Sequence, residues 1–450
     1  MRFDRDGSDR SPLDRAGLTL TPLTELLASM NPWWAGMDFE TGRPRPAYLA
    51  TIQRYLDTDE IIVLNGVRRA GKTTLLYQTI RHLISDRRVP KKNILFVKCD
   101  DEGIASRDHP VSAIVDTYRK EVSAQGTIYL VFDEIQTIAG WERAVKSLYD
   151  SRQYRIIISG SSSYLLDSQV ATLLSGRYLP VTVYPLDFRE YLSFHDMEPT
   201  FDPIVLAARK YEILALLKRY LREGGFPAIV LQENERTRQD QLRAYYDSIV
   251  YRDIVRVNDV RNPNALAAVL HYLFTNIASP YSYRKLKSAL GIDIETLQNY
   301  IHFAGMARIL FEIQIFSYSL HVQARAGKKI YCIDNGLRNA VSFRFSEDEG
   351  KLAENLVFIE LVRSGSAPFY WKKKREVDFV IKNPDNSLSA INVCYADTIP
   401  EREHDSLHEF DREFGEAVRE RIILTRDMEG EKEGISCIPL WKWLFAQKLR

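Results

Sequence analysis

Apolar runs in the first half of the chain are short and continuous rather than alternating. Ile61–Leu64, Ile94–Val97, Ile128–Phe132 and Ile156–Ile158 have no polar interruption, and Leu179–Val183 is a candidate fifth. Strands covered on both faces read this way. Helical stretches such as Thr73–Ile84 lie between them. The alternation predicts a parallel sheet with helices on both sides. From about residue 200 the period becomes helical, in Pro203–Arg222, Arg238–Val257 and Pro263–Ala278, with a break at Gly224-Gly225-Phe226-Pro227. Two short helices around Gly291 follow. Beyond about residue 328 short strands return, with one helix at Lys351–Ser364.

The first strand runs into "GVRRAGKTT", a G-x-x-x-x-G-K-[ST] loop between a strand and a helix. Its glycines let successive backbone N–H groups curl around a phosphate, and the helix N-terminus adds partial positive charge. The predicted ATP-binding residues are Gly66, Val67, Arg68, Arg69, Ala70, Gly71, Lys72, Thr73 and Thr74. Lys72 is expected to reach the β- and γ-phosphates, and the Thr73 hydroxyl to ligate Mg²⁺. "IYLVFDEIQ" then supplies an acidic strand end. Asp133 is the expected second Mg²⁺ holder, and Glu134 the residue that orients the attacking water. One strand later, "IIISGSSS" offers Ser159 or Ser161 for the γ-phosphate or the water, with a helix N-cap as the rival role. Arg177, just before the fifth strand, is placed to reach a neighbouring subunit's γ-phosphate, or is an ordinary surface arginine.

Composition narrows the field. The 450 residues suffice for about two to four domains. With 61 basic and 60 acidic residues the net charge is +1, so any nucleic-acid site must be a local patch. Cys99, Cys332, Cys394 and Cys437 lie too far apart for a zinc motif and read as thiols of a reducing compartment. The N-terminus is dense in charge, unlike a signal peptide, and reads as disordered. No apolar run reaches the roughly 18 residues of a membrane span. The expected location is the cytoplasm, with no membrane partner.

These motifs resemble the AAA+ class of P-loop ATPases. More narrowly, the chain is similar to prokaryotic, chiefly archaeal, AAA-family ATPases with a restriction-endonuclease-like C-terminal domain. The stretches carrying that likeness are "NPWW", "LSGRYLPVTVYPLDFREYL", "YLREGGFP", "KIYCIDNGLRNAV" and "REVDFVI". The resemblance implies an α/β fold: a P-loop AAA+ parallel sheet, a helical lid, a winged-helix module and a nuclease-like α/β C-terminal domain. The expected divisions are a tail and Pro-aromatic segment (1–44), the ATPase domain (45–200), the lid (201–262), the winged-helix-like module (263–328) and a degenerate nuclease-like domain (329–450). ATP, Mg²⁺ and a homo-oligomer are implied, with DNA as a candidate partner.

Two C-terminal features bear on DNA. In "SPYSYRKLKSALGIDIETLQNYIHFAGMARIL" the second helix turns Glu295, Gln298, Asn299 and His302 outward, without a cation, whereas Arg284, Lys285 and Lys287 lie on the first. In "KKKREVDFVIKNPDNSLSAINVCYA", Glu376 and Asp378 face one side of a strand and Glu354 on the preceding helix joins them. A metal-dependent nuclease would next show Glu-x-Lys, but the chain has Asn392-Val393-Cys394. The basic run Lys372–Arg375, beside Tyr370 and Trp371, is either a phosphate track with stacking rings or a solvated charge run. The leading expectation is an ATP-driven motor or switch. The alternatives are an ATP-gated nuclease and a nucleotide-switched scaffold.

Overall fold

The computed structural model describes residues 21–107, 109–122, 125–161, 174, 176–342 and 349–447. The charged tail, residues 1–20, lies outside them. Two compact units divide the chain. One holds the chain up to Leu64, Thr73–Gly160 and the segment ending at Val181. The other includes Asn65–Lys72 and everything from Thr182 onward.

The five apolar runs become β1 (Ile61–Gly66), β2 (Ile94–Lys98), β3 (Ile128–Asp133), β4 (Tyr154–Ser159) and β5 (Tyr178–Val183). They form one sheet in the order β2-β3-β4-β1-β5. The β1–β4, β3–β4 and β2–β3 pairs are parallel. Every residue of β1 and β3 is buried, which is why these strands carry no alternation. The order brings the carboxyl ends of β1 and β3 to either side of β4, where open parallel sheets bind ligands. The exposed rim of β2 is closed by the Pro-aromatic segment. Asn31 exchanges side-chain hydrogen bonds with the Phe96 N–H (2.7 Å) and C=O (2.8 Å). Trp33 and Trp34 both donate to the Ile94 carbonyl. An edge strand is thereby satisfied without another strand.

Six helices organise the sites: α1 (Lys72–Ser85), α2 (Lys210–Glu223), α3 (Glu235–Ser248), α4 (Tyr283–Leu290), α5 (Ile294–Met306) and α6 (Glu349–Arg363). The stretch read as one helix, Arg238–Val257, is α3 continuing into a π-helix at Ile249–Val255. The break at Gly224-Gly225 has a partner far along the chain. The Asp334 carboxylate accepts from Gly225 N (2.6 Å) and caps the next helix through Leu337 N (2.9 Å). Gly224 has φ +75°, and a Cβ there would sit 2.1 Å from Asp334 Oδ1. Burial pushes Asp334 up to about 6.

After α4 and α5, β7 (Leu310–Ile313) and β8 (Lys328–Cys332) join β6 (Pro280–Tyr281) in an antiparallel sheet, order β6-β8-β7. The C-terminal sheet has six strands. Those used below are β9 (Phe369–Lys372), β10 (Glu376–Lys382), β11 (Leu388–Cys394) and β12 (Val418–Thr425). The helix α7 (Glu401–Phe414) packs its Leu407 and Phe410 on Trp371, Val377 and Val380 in one buried cluster.

Candidate functional site

The phosphate-loop motif leaves β1 at Gly66 and enters α1 at Lys72. Gly66 has φ +146°, and a Cβ there would meet the Val183 carbonyl oxygen at 2.1 Å, so β5 admits only glycine. Lys72 is 4% exposed, and its ammonium donates to the Gly66 and Val67 carbonyls at 3.1 and 3.2 Å. The charge thus lies over the loop, at the positive end of α1. Arg69 adopts φ +71°, a conformation L residues favour only under constraint.

At the strand ends the polar groups are wired together. Thr73 Oγ1 donates to Asp133 Oδ2 at 2.7 Å. The Ser159 hydroxyl donates to the other Asp133 oxygen and accepts from the Glu134 N–H at 3.2 Å. Ser159 is fully buried and Asp133 is 1% exposed. Ser159 therefore braces the acidic pair, and the segment it was expected to cap lies outside the described residues. Glu134 is partly exposed at φ +52°, and its carboxylate accepts from Gln136. Strained backbone of this kind concentrates at functional sites. Burial, aided by Asp133, pushes the Cys99 thiol well up, so Cys99 is an inert core thiol.

Arg177 lies elsewhere. Its carbonyl accepts from Ile61 N at 2.8 Å, beside the start of β1. The loop leaves the other end of that strand, five residue steps of about 3.3 Å away. Its guanidinium stands 3.9 Å from Asp150, with the side chain 37% exposed.

A second cluster holds a residue that sequence reading missed. Glu354, Glu376 and Asp378 do face one another, and they converge on an ammonium. Lys329 Nζ lies 3.0 Å from Glu354, 2.7 Å from Glu376 and 3.3 Å from Asp378, and its side chain is 1% exposed. Tyr331 also donates to Glu354, at 2.7 Å. The lysine sought at position 394 on β11 arrives instead from β8, in a different sheet. Burial, with Asp378 adding to it, raises Glu354 to about 7 despite the nearby ammonium. Glu376 is lowered: burial opposes this, but Lys329 and Lys372 outweigh it. Lys329 is held well above the usual range because the surrounding carboxylates overcome its desolvation. Asn392 and Cys394 have packing roles. Asn392 accepts from Asp378 N and donates to Glu403 (2.9 Å) and Ser406 (2.7 Å). Burial lifts the Cys394 thiol to about 11, so it remains protonated near neutrality.

Three members of the basic run stand in surface ion pairs. Lys372 pairs with Glu376, Lys373 with Glu413 and Arg375 with Asp405. Tyr370 and Trp371 are each 2% exposed, so neither ring is available to stack on a base.

A family model described as an AAA domain matches residues 58–192. Two models described as domains of unknown function match 214–348 and 349–443. Among solved structures, the Aeropyrum pernix ORC1 protein in complex with DNA overlaps with TM-score 0.30 at 17% identity, covering 69% of this chain and 95% of that one. An uncharacterized Haemophilus influenzae protein is 29% identical over 414 residues, covering 89% of this chain and 98% of its own. The uncharacterized protein MJ1544 of Methanocaldococcus jannaschii is 32% identical over 414 residues, 87% of this chain and 90% of that protein. With that identity and coverage, the chain belongs to the same family as MJ1544, and its residues 58–192 are an AAA domain built on a phosphate-loop sheet.

Proposed function

We propose that the protein binds ATP with Mg²⁺ through Gly66–Thr74, hydrolyses it, and acts as a nucleotide-driven motor or switch. The observation that carries this reading is the contact between Thr73 and Asp133, a hydroxyl and a carboxylate 2.7 Å apart beside the loop. Two hard oxygen donors so placed fit Mg²⁺, which supplies charge screening on the β- and γ-phosphates when bound. Lys72 would swing from the loop carbonyls onto phosphate oxygens. Ser159 would hold Asp133 and Glu134 in register, leaving the Glu134 carboxylate to orient and polarise the attacking water. Arg177 stands at the far end of β1 from its own loop, roughly 16 Å along the strand, which supports action on a neighbouring copy in a homo-oligomer.

Turnover, followed as phosphate release, tests the reading. Lys72→Ala should lose ATP binding, and Glu134→Gln should bind ATP without hydrolysing it. Wild-type turnover in Lys72→Ala would overturn the assignment. For DNA, the support is strongest at α4 of a winged-helix-like module, where Arg284, Lys285 and Lys287 are exposed, because Lys372, Lys373 and Arg375 are each paired with a carboxylate. DNA acting there should alter turnover at low salt and lose its effect steeply as salt rises.

A further inference from the structure

The two arginines of the phosphate loop are spoken for by one helical element. Arg68 makes a forked pair with Asp253, Nε to Oδ2 at 3.2 Å and Nη2 to Oδ1 at 3.0 Å. Arg69 places its guanidinium 5.4 Å from the centre of the Tyr245 ring. Tyr245 lies on α3 and Asp253 on the π-helix that continues it. The loop, Asn65–Lys72, accordingly groups with the helical unit and not with the sheet that precedes it.

The Asp253 side chain is only 4% exposed. A carboxylate so deep cannot be left alone without a large desolvation penalty. Arg68 therefore cannot desert Asp253 while the π-helix keeps its packing. Two ion-paired hydrogen bonds in a planar fork also fix direction, as a point charge would not. A π-helical turn in place of an α-helical one is a conformation that marks functional positions. Here it presents the carboxylate that pairs with Arg68.

We infer that Asp253 is a positioning residue for the nucleotide site: through Arg68 it fastens the phosphate loop to the π-helix, so that loading the loop and ordering the helix at 245–255 are one event. The inference rests on the ATP-binding reading. Asp253 itself touches no phosphate. It sets the arc of the loop through Arg68, while Tyr245 steadies the strained Arg69. By linkage, whatever holds the helix tightens nucleotide binding, and nucleotide tightens the helix by the same factor.

The test uses the full chain, a fluorescent ATP analogue, turnover, and amide hydrogen exchange with and without ATP. Wild type should bind, and ATP should slow exchange across 245–255. Asp253→Asn should weaken binding about tenfold to a hundredfold, the span common for coupled sites, and should lose the ATP-dependent protection at 245–255. Asp253→Glu, which keeps the charge, should recover part of both. If Asp253→Asn does not fold, Arg68→Lys carries the same test, because it keeps the charge and loses the fork. Wild-type affinity together with wild-type protection at 245–255 in a folded variant overturns the inference, even while Lys72→Ala abolishes binding. Failure of wild type itself to bind the analogue removes the reading beneath it, and that failure is seen without any variant.

Discussion

Replacing Lys329 with Met should destabilise the C-terminal sheet domain, and by an amount that depends on pH. The substitution keeps the length and apolar stem of the side chain but deletes an ammonium that three carboxylates share, at 3.0, 2.7 and 3.3 Å. Removing one partner from a buried ion cluster costs about 3–5 kcal/mol, because the remaining charges are left without compensation. Glu354 decides the pH dependence. Its folded-state pKa is raised, to about 7, above the ordinary 4.5. A raised carboxyl binds its proton in the fold and releases it when unfolded, so its contribution declines as pH climbs from the ordinary value to the folded one. Above that window Glu354 is charged in the fold and leans on Lys329. At pH 5.5 it is neutral, and only Glu376 and Asp378 lose their partner. The deficit of Lys329→Met should thus be largest at pH 8. It should shrink at pH 5.5 by about 1.4 kcal/mol for each unit by which the missing ammonium raises Glu354 further. Urea unfolding followed by tryptophan fluorescence, where Trp371 reports this domain, reads both values. Adding Glu354→Gln to the variant should recover part of the loss at pH 8 and little at pH 5.5. A deficit below about 1 kcal/mol, the range of an ordinary surface pair, or equal deficits at the two pH values, would show that the cluster is not what holds β8 to the sheet.

Two further outcomes are expected at the nucleotide site. Ser159→Ala leaves the buried Asp133 one hydrogen bond short, a penalty of about 1–3 kcal/mol, so turnover should fall about tenfold or more while the Mg²⁺ requirement for ATP binding rises. Unchanged kinetics would remove Ser159 from the site. Arg177→Ala and Glu134→Gln should each lose turnover alone, yet a mixture of the two should regain a fraction of it, since an intact arginine would meet an intact loop across copies. No recovery at any mixing ratio counts against action between subunits.

Much of the AAA sheet was legible because its signals are local. Continuous apolar runs gave the five strands to within two residues, and the run from Gly66 to Thr73 announces its own turn, helix start and donors. The acid pair at Asp133 and Glu134 is likewise marked by the strand it terminates. Even the brace at Ser159 sat at a flagged strand end, although its role depended on which neighbour lay beside β4. Where the period reading slipped, the physics was tertiary. The pattern over Arg238–Val257 fits one uninterrupted helix. Only packing selects the π-helical turn that aims Asp253.

Lys329, which escaped detection, and Arg68, whose pairing with Asp253 did, share a cause. Lys329 reads as one of two lysines opening a short strand, with no feature to separate it from Lys328. Its meaning comes from acids 25, 47 and 49 positions later, which the fold carries from α6 and from a strand of another sheet to meet it. Arg68 fills a variable position of the phosphate loop, where the motif asks for nothing, and its partner is 185 residues away. In both cases a cation is recognisable only once a buried carboxylate is known to need it. Buried acids are therefore the productive starting point for such a chain. Asp253, Asp334 and Glu354 lie on or beside helices whose periodicity explains their neighbours and not them. A deep carboxylate must find a donor somewhere, so each one commits the fold to a long-range contact. For Asp334 the donors are the backbone of Gly225 and Leu337. For Glu354 they are Lys329 and Tyr331. For Asp253 the donor is a residue of the phosphate loop itself, and that places a structural demand of the helical unit where nucleotide chemistry is expected to occur.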